Sequence, residues 1–300
     1  MLELDQVTLC CVDGRNHAMA LRALERSRRD IRFARTVFLT NTVPRHIGIP
    51  NGIEVISAGS LASEEAYSHL VLKGIYPYLL TPYVLLVQWD GYVVHPQMWQ
   101  DEFLDADYLG AAWPNEEGAF SVGNGGFSLR SRKLLAALQD DTFPLLTSNE
   151  DVTICGFHRA RLESEFGIRF GSPELARQFS FEMETGYVIG GAKTFGFHGI
   201  FNLFLVETQQ EITAISRALP DNIACLQSVE LLLGNLMQFE MLQPSLALGQ
   251  RILAVVPEND FAAGVVVRVR EMLAQKNEAP AQKRSRMVDR LMRGFRTRRP

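Results

Sequence analysis

The sequence predicts an α/β protein with a mostly parallel sheet flanked by helices, followed by a C-terminal helical region. Two observations lead to this prediction. Over residues 1–90, short continuous apolar runs alternate with helical stretches, which is typical of parallel strands covered on both faces. Residues 205–276 have helical apolar spacing almost throughout, broken at Pro220, Pro244 and Pro257.

The elements follow one another in a regular order. Continuous or β-branched apolar runs predict the early strands, and Ser63 is a suitable N-cap for the second helix. Predicted strands cover 7–12, 35–40, 53–57, 83–89, 108–113, 126–130, 179–183 and 194–199. Predicted helices cover 16–30, 63–79, 131–139 and 149–166.

The charge is distributed unevenly along the chain. The formal net charge is −4, but residues 283–300 hold eight basic residues and one acidic residue. Residues 1–282 therefore carry a net charge of −11. An acidic body does not favour non-specific nucleic-acid binding, so we expect no nucleic-acid partner.

The cysteines and the N-terminus indicate a cytoplasmic protein. The four cysteines, Cys10, Cys11, Cys155 and Cys225, have no C-x-x-C spacing, so we expect reduced, buried thiols. The first apolar stretch lacks a preceding basic segment, which argues against a signal peptide. No apolar run approaches the roughly 18–20 residues that a membrane-spanning helix needs.

Polar residues lie at the carboxyl ends of four successive predicted strands, and they are Asp13, Thr40, Ser57 and Asp90. In open α/β sheets, ligands bind outside the carboxyl ends of the strands. For Thr40 and Ser57 an ordinary strand end is the favoured interpretation. Asp13 and Asp90 are each followed by glycine, and for these two a ligand-binding role is favoured.

Three short motifs carry the residue types of a metal site with a general base. Asp90 lies in "QWDGY", Glu150 and Asp151 follow Asn149, and His198 lies between glycines in "GFHG". Each has a structural alternative. Asp90 could cap a turn, the acidic pair could complement a helix dipole, and His198 could be a structural histidine.

The order of these motifs resembles that of GT-A-fold glycosyltransferases. The motifs are "LLVQWDGYVV", "DYLGAAW", "GNGGFSLRSRKLL", "NEDVTICG" and "FGFHG", and the resemblance covers about residues 5–200. It looks closest to a bacterial family of uncharacterised glycosyltransferase-like proteins. More distantly it is similar to the Fringe and core-1 β-galactosyltransferase group.

The resemblance implies a GT-A-like (Rossmann-like) catalytic domain over 1–204 that binds a nucleotide-sugar. The helical region 205–276 and a linker with a basic tail over 277–300 would follow. The implied reaction is inverting, metal-assisted transfer of a sugar from a nucleotide-diphosphate donor, expected to be a UDP-sugar. The acceptor would be a hydroxyl of a saccharide or a lipid-linked saccharide.

The resemblance also implies roles for individual residues. Asp90 matches the last aspartate of the D-x-D motif and, with His198, would bind Mn²⁺ or Mg²⁺. Asp151 matches the general base that deprotonates the acceptor, with Glu150 as its neighbour and the second candidate catalytic carboxylate. The residues implied for donor binding are Asp13, Thr40, Lys73, Gln88, Trp89, Asp90, Gly125 and Gly126, and those implied for the acceptor or sugar pocket are Trp113, Gly123 and Asn124.

One position departs from the D-x-D pattern. Gln88 stands where the motif has its first aspartate, and Trp89 stands in the middle. The loss of one carboxylate predicts a weaker metal site or a dispensable metal. For Lys73, an exposed helix lysine is the alternative to a phosphate contact.

Two other functions remain open. A catalytically weak module would bind a sugar nucleotide or serve as the partner subunit of another transferase, and Gln88 favours it. A metal-dependent phosphoesterase is disfavoured, because the sequence shows neither a second histidine–carboxylate cluster nor a nucleophile motif.

The C-terminal residues 283–300 have an apolar stripe surrounded by arginines. Its members are Met287, Val288, Leu291, Met292 and Phe295. A basic amphipathic helix favours an anionic membrane surface, which predicts a peripheral position at the inner face of the membrane. Docking on the acidic body of the same protein is the alternative.

Overall fold

A computed structural model describes residues 1–114, 122–147 and 149–276. The chain divides into two compact units, Met1–Leu205 and a second that begins at Val206. The predicted linker and tail, 277–300, lie outside the described residues.

The first unit contains a six-stranded sheet with the order β3-β2-β1-β4-β6-β5. The strands β1 to β4 run parallel, and β6 pairs antiparallel with both β4 and β5. The mostly parallel α/β sheet predicted from the sequence is therefore confirmed. Its strands are β1 Leu2–Val12, β2 Ile31–Thr40, β3 Glu54–Ser57, β4 Tyr83–Val87, β5 Tyr108–Leu109 and β6 Phe127–Ser131.

The strand directions bring distant parts of the chain to one edge. The carboxyl ends of β1 to β4 lie at this edge, and β6 begins there because it runs in the opposite direction. The glycine-rich segment before Phe127 therefore lies near the segment that follows Val87, its partner in β4.

Apolar layers cover both faces of the sheet. Leu9 and Cys11 of β1 pack in one layer with helix α1 (His17–Ser27), whereas Cys10 and Val12 pack in the opposite layer. Burial on both faces explains why the strand runs are continuously apolar rather than alternating.

The first unit contains both α-helices and shorter helical turns. Its α-helices are α1 His17–Ser27, α2 Glu64–His69, α3 Arg132–Ala137, α4 Glu150–Val152, α5 Arg159–Phe166, α6 Pro173–Phe179 and α7 Gly186–Ile189. Leu70–Gly74 and Thr153–Phe157 are π-helical, and Tyr76–Tyr78, Pro96–Met98, Asp101–Asp105 and Ile200–Asn202 are 3₁₀ turns.

Two predicted helices are broken in the structure. The predicted helix 63–79 begins as expected, since Ser63 Oγ accepts a hydrogen bond from Ala66 N at 3.1 Å. It then widens into the π turn Leu70–Gly74 and ends in a 3₁₀ turn at Pro77. The predicted helix 149–166 is likewise divided by the π turn Thr153–Phe157.

The late strands are shorter than predicted. Strands β7 Ser180–Phe181 and β8 Gly196–Phe197 form a separate parallel pair, with Phe181 opposite Phe197. Val93 forms a bridge to Gly196, so this pair lies beside the segment that follows β4. The predicted strand 108–113 is regular only at Tyr108–Leu109.

The second unit is helical over its described residues. Its helices are α8 Leu203–Val206, which begins in the first unit, α9 Gln209–Ala218, α10 Asp221–Ala224, α11 Gln227–Gln238, α12 Leu242–Val255 and α13, residues 260–276.

Cysteine burial follows the prediction at three positions. Cys10, Cys11 and Cys155 are buried and free, whereas Cys225 is exposed. Among the described residues, no helix is long and apolar enough to cross a membrane.

Candidate functional site

A histidine and an aspartate predicted from separate motifs lie together at the polar edge of the sheet. The Nε2 atom of His198 is 3.7 Å from Oδ1 of Asp90 and 3.1 Å from Oε1 of Gln88. Gln88 is held from its other side, where its amide nitrogen donates to Tyr67 Oη at 2.7 Å. The structure therefore joins Gln88, Asp90 and His198 in one cluster.

Two glycines make room for the imidazole ring of His198. A Cβ atom at Gly126 would lie 2.0 Å from Nε2, and one at Gly91 would lie 2.8 Å from Cδ2 of the same ring. Any side chain at Gly126 would therefore displace the histidine. Close approach explains these glycines without reference to a ligand.

Both ring nitrogens of His198 face acceptor oxygens. Nδ1 lies 2.8 Å from Oε1 of Glu182, while Nε2 faces Gln88 and Asp90. Burial alone would lower the pKa of His198, but the Asp90 and Glu182 carboxylates raise it to about 9. Without a competing ligand, the ring is therefore a cation near neutral pH.

Asp90 has one satisfied and one unsatisfied carboxylate oxygen. Oδ2 accepts a hydrogen bond from Ile200 N at 3.2 Å. Among the residues that the structure describes, no group donates to the buried Oδ1. Burial raises the pKa of Asp90, although His198 opposes the rise. The protonated His198 ring balances the charge of Asp90 from 3.7 Å, and Oδ1 keeps its lone pairs free for a donor or a cation.

Asp90 and His198 fit a metal ion that a substrate would help to coordinate. In the described part of the chain, no three His, Cys, Asp or Glu side chains are arranged to hold an ion. Glu182 does not add to the pair, because it faces the opposite nitrogen of the ring. Ions of the Mg²⁺ type are commonly held by one or two carboxylates together with substrate phosphates, so Asp90 supplies the usual ligand type and His198 adds a nitrogen. Two protein ligands therefore suffice for such an ion.

Asp151 lies against the glycine-rich loop. Its Oδ2 accepts a hydrogen bond from Gly125 N at 2.8 Å, and its Oδ1 accepts one from Val152 N at 2.7 Å. The side chain is half-buried. These two donors fix the orientation of the carboxylate, and its negative charge contributes to the raised pKa of His198.

Glu150 occupies a different environment from Asp151. It is buried and accepts a hydrogen bond from Arg130 Nη2 at 2.8 Å, while the Arg130 side chain has no exposed area. The guanidinium also lies 5.0 Å from the centre of the Tyr108 ring. The structure therefore places Glu150 in a buried ion pair, where it supports the position of its neighbour.

The residues predicted for the acceptor pocket contact protein groups. A Cβ atom at Gly123 would lie 2.0 Å from the ring of Trp113, which covers this glycine. Asn124 is 4% exposed, and its amide nitrogen lies 3.1 Å from Nδ1 of His198. Asn124 therefore has little exposed surface that a sugar could contact, whereas Trp113 is half-buried and keeps some exposed surface.

Asp13 and Thr40 lie farther along the same edge. Asp13 Oδ1 accepts hydrogen bonds from Arg15 N and Asn16 N, both at 2.6 Å, and so organises the start of α1. Thr40 is buried, with Oγ1 2.9 Å from His17 Nε2. Beyond it lies an open cavity of about 670 Å³ whose lining includes His17, Asn41 and Ser57.

Lys73 and Trp89 complete the predicted donor set. The Lys73 ammonium donates to the backbone oxygens of Leu138 and Asp140, so its hydrogen bonds serve the end of α3. Lys73 is half-buried in a π turn, so it differs from the exposed helix lysine of the structural alternative. Trp89 is half-buried beside Asp90.

Sequence patterns missed two buried charged groups of the site, Glu182 and Arg130. Glu182 lies within the strand-like segment "FSFEM" and directly follows β7, as Asp90 comes shortly after β4, and this was the available signal. Arg130 stands inside a strand, where a charged residue is normally assigned to the surface.

Comparison with known proteins adds the following findings. A family model described as a protein of unknown function (DUF5672) matches residues 52–198, just under half of the chain. Comparison with curated protein sequences gives no match.

Several solved structures are similar to the chain. A glycosyltransferase involved in glycosylation of the major capsid of PBCV-1 has a TM-score of 0.39 at 12% identity, covering 64% of this chain and 91% of its own. The apo-form glycosyltransferase GlyE of Streptococcus pneumoniae TIGR4 has a TM-score of 0.40 at 10% identity. A further GlyE structure has a TM-score of 0.37 at 14% identity. The matches to GlyE cover 64% of this chain and 54% of the GlyE chain.

Proposed function

We propose that this protein is a glycosyltransferase that transfers a sugar from a nucleotide-diphosphate donor, a UDP-sugar in the first instance, to an acceptor hydroxyl. The proposed reaction is inverting and metal-assisted, with a saccharide or lipid-linked saccharide as the acceptor. The ordered motifs in the sequence resemble those of GT-A-fold transferases and suggest this class.

One observation carries the proposal. Asp90, His198 and Asp151 come from three separate motifs and share one edge of the sheet, around Gly125 and Gly126. A carboxylate and a histidine that can hold a cation, with a second carboxylate nearby, supply the two things that transfer requires. These are charge stabilisation at the leaving diphosphate and a base for the acceptor hydroxyl.

In this proposal Asp90 and His198 hold the ion, with Mn²⁺ and Mg²⁺ as the candidates. When bound, the ion would neutralise the charge that develops on the leaving diphosphate. His198 has to lose the proton on Nε2 to serve as a ligand, because metal ligands bind through an unprotonated nitrogen. Gln88 adds a neutral oxygen beside that nitrogen.

Asp151 is the proposed general base. The hydrogen bonds from Gly125 N and Val152 N leave each carboxylate oxygen with a further lone pair. A hydroxyl placed within about 3 Å of such an oxygen can transfer its proton as it attacks. The ion pair between Glu150 and Arg130 keeps a second negative charge neutralised beside this base.

A second candidate is a module that binds a sugar nucleotide without catalysis. The two backbone donors to Asp151 favour it, because they give that carboxylate a structural reason to be present. The replacement of a motif aspartate by Gln88 points in the same direction. The two candidates differ in turnover and share nucleotide binding.

The experiment that tests the proposal is calorimetric titration of UDP, then GDP and other nucleoside diphosphates, with and without Mn²⁺. We expect metal-dependent binding of one nucleotide by the wild-type protein and its loss in Asp90→Ala. Asp101→Ala is a matched control, because Asp101 begins a 3₁₀ turn and contacts Trp99.

The outcomes separate the parts of the proposal. Nucleotide binding that needs no metal would contradict the metal-assisted mechanism, but it would still support the proposed donor site. Failure of every nucleotide to bind would contradict the donor site itself.

A further inference from the structure

Glu182 is brought to His198 by strand pairing. Strands β7 and β8 run parallel with Phe181 opposite Phe197, so the next residue of each strand, Glu182 and His198, emerge side by side. His198 N donates to Phe181 O at 2.9 Å, which continues the pairing. Asn202 Nδ2 donates at 2.8 Å to the backbone oxygens of both Glu182 and His198. The backbone thus holds the two side chains together.

The Glu182 carboxylate selects the nitrogen of His198 that keeps its proton when the ring becomes neutral. Its Oε1 lies 2.8 Å from Nδ1, and a carboxylate can only accept a hydrogen bond. Nδ1 therefore donates to Glu182 in this arrangement, and the Asn124 amide nitrogen, 3.1 Å from Nδ1, does not donate to that nitrogen. The Glu182 side chain is 18% exposed, and Asn124 donates a further hydrogen bond to it.

The ring of His198 has little freedom to turn away from this arrangement. Gly126 and Gly91 line the space around it so closely that a Cβ atom at either position would collide with the ring. With Nδ1 directed at Glu182, the remaining nitrogen, Nε2, faces Asp90 Oδ1, the buried oxygen that no described group satisfies.

We propose that Glu182 is a positioning residue that fixes the tautomer and orientation of His198, so that Nε2 and Asp90 together receive a divalent cation. This inference rests on the proposed function. Histidines that bind metals commonly donate their second N–H to a carboxylate, and loss of that partner typically lowers metal affinity about 10–100-fold.

The test is Mn²⁺ binding to the full-length protein, measured by electron paramagnetic resonance with the metal alone and again with UDP present. Glu182→Ala is expected to weaken the Kd at least about tenfold. Glu182→Gln keeps the size of the side chain and should fall between the wild type and Glu182→Ala. Glu184→Ala is the matched control, because Glu184 lies two residues away and pairs with Arg177 instead. Thermal unfolding of each variant is recorded in parallel.

Each outcome decides the question. A weakened Kd in the folded Glu182 variants with an unchanged Glu184 control supports the positioning role. A Kd equal to the wild type, with or without a lower melting temperature, overturns it and leaves the proposed function standing. Absence of Mn²⁺ binding by the wild type both without and with UDP overturns this inference and the metal-assisted mechanism together. If Glu182→Ala does not fold, Glu182→Gln decides the result alone.

Discussion

At the scale of single residues, the site is built from charged side chains that are largely buried. Glu150 and Arg130 are almost completely inaccessible to solvent, and Asp90, Glu182 and His198 are mostly buried. A buried charge is tolerated only when it is paired, so each of these groups depends on its neighbour.

The Arg130–Glu150 pair gives the first prediction. Arg130→Ala leaves the Glu150 carboxylate buried without its partner, and we expect the free energy of unfolding to fall by about 3–5 kcal/mol. Denaturant unfolding at neutral pH measures the change. Arg161→Ala, which removes an exposed pair with Glu165, should unfold as the wild type does. An equal and small effect of both substitutions would show that the buried pair does not stabilise the fold.

The pKa of His198 gives the second prediction. In the folded, metal-free protein this pKa is raised from 6.5 to about 9, so the native state binds the proton more tightly than the unfolded state does. The resulting stabilisation is fully present below pH 6.5 and is lost as the pH rises through 9. We therefore expect the free energy of unfolding to fall between these pH values.

The measurement is urea unfolding at a series of pH values in the presence of a chelator. His198→Gln should have a smaller decrease over this range than the wild type, while His69→Gln, an exposed control, should match the wild type. An identical pH dependence in His198→Gln and the wild type would contradict the assigned network.

At the scale of elements, the sequence predicted where a helix begins better than whether it continues as an α-helix. Ser63 was identified as an N-cap, and its hydroxyl accepts the hydrogen bond from Ala66 N. The π turns Leu70–Gly74 and Thr153–Phe157 were not predicted, because the apolar spacing around them remains close to that of an ordinary helix.

The Ser63 cap gives the third prediction. Ser63→Ala leaves the amide of Ala66 without its acceptor, and we expect a loss of about 1 kcal/mol in the free energy of unfolding. Ser63→Asp supplies another capping oxygen and should keep the wild-type stability. Urea unfolding of both variants checks this, and equal stability of Ser63→Ala and the wild type would show that the cap is dispensable.

At the scale of the whole molecule, the fold was predictable because burial on both faces produces continuous apolar strands. The site was predictable only in part. Asp90 and Asp151 lie in short motifs, whereas the contact between His198 and Glu182 depends on the pairing of β7 with β8, two strands of two residues each. Arg130 was missed for another reason. Only the folded structure shows that the buried carboxylate of Glu150 pairs with it.

Asp151 is the proposed base in sugar transfer. The most direct test is release of nucleoside diphosphate from a panel of nucleotide-sugars in the presence of Mn²⁺, with water and then added saccharides as the acceptor, comparing the wild type with Asp151→Asn. We expect the Asp151→Asn variant to keep the wild-type Kd for the donor and to lose about 10²–10⁴-fold in kcat. Turnover by Asp151→Asn at a rate close to that of the wild type, or no turnover by the wild type with any donor, would contradict it.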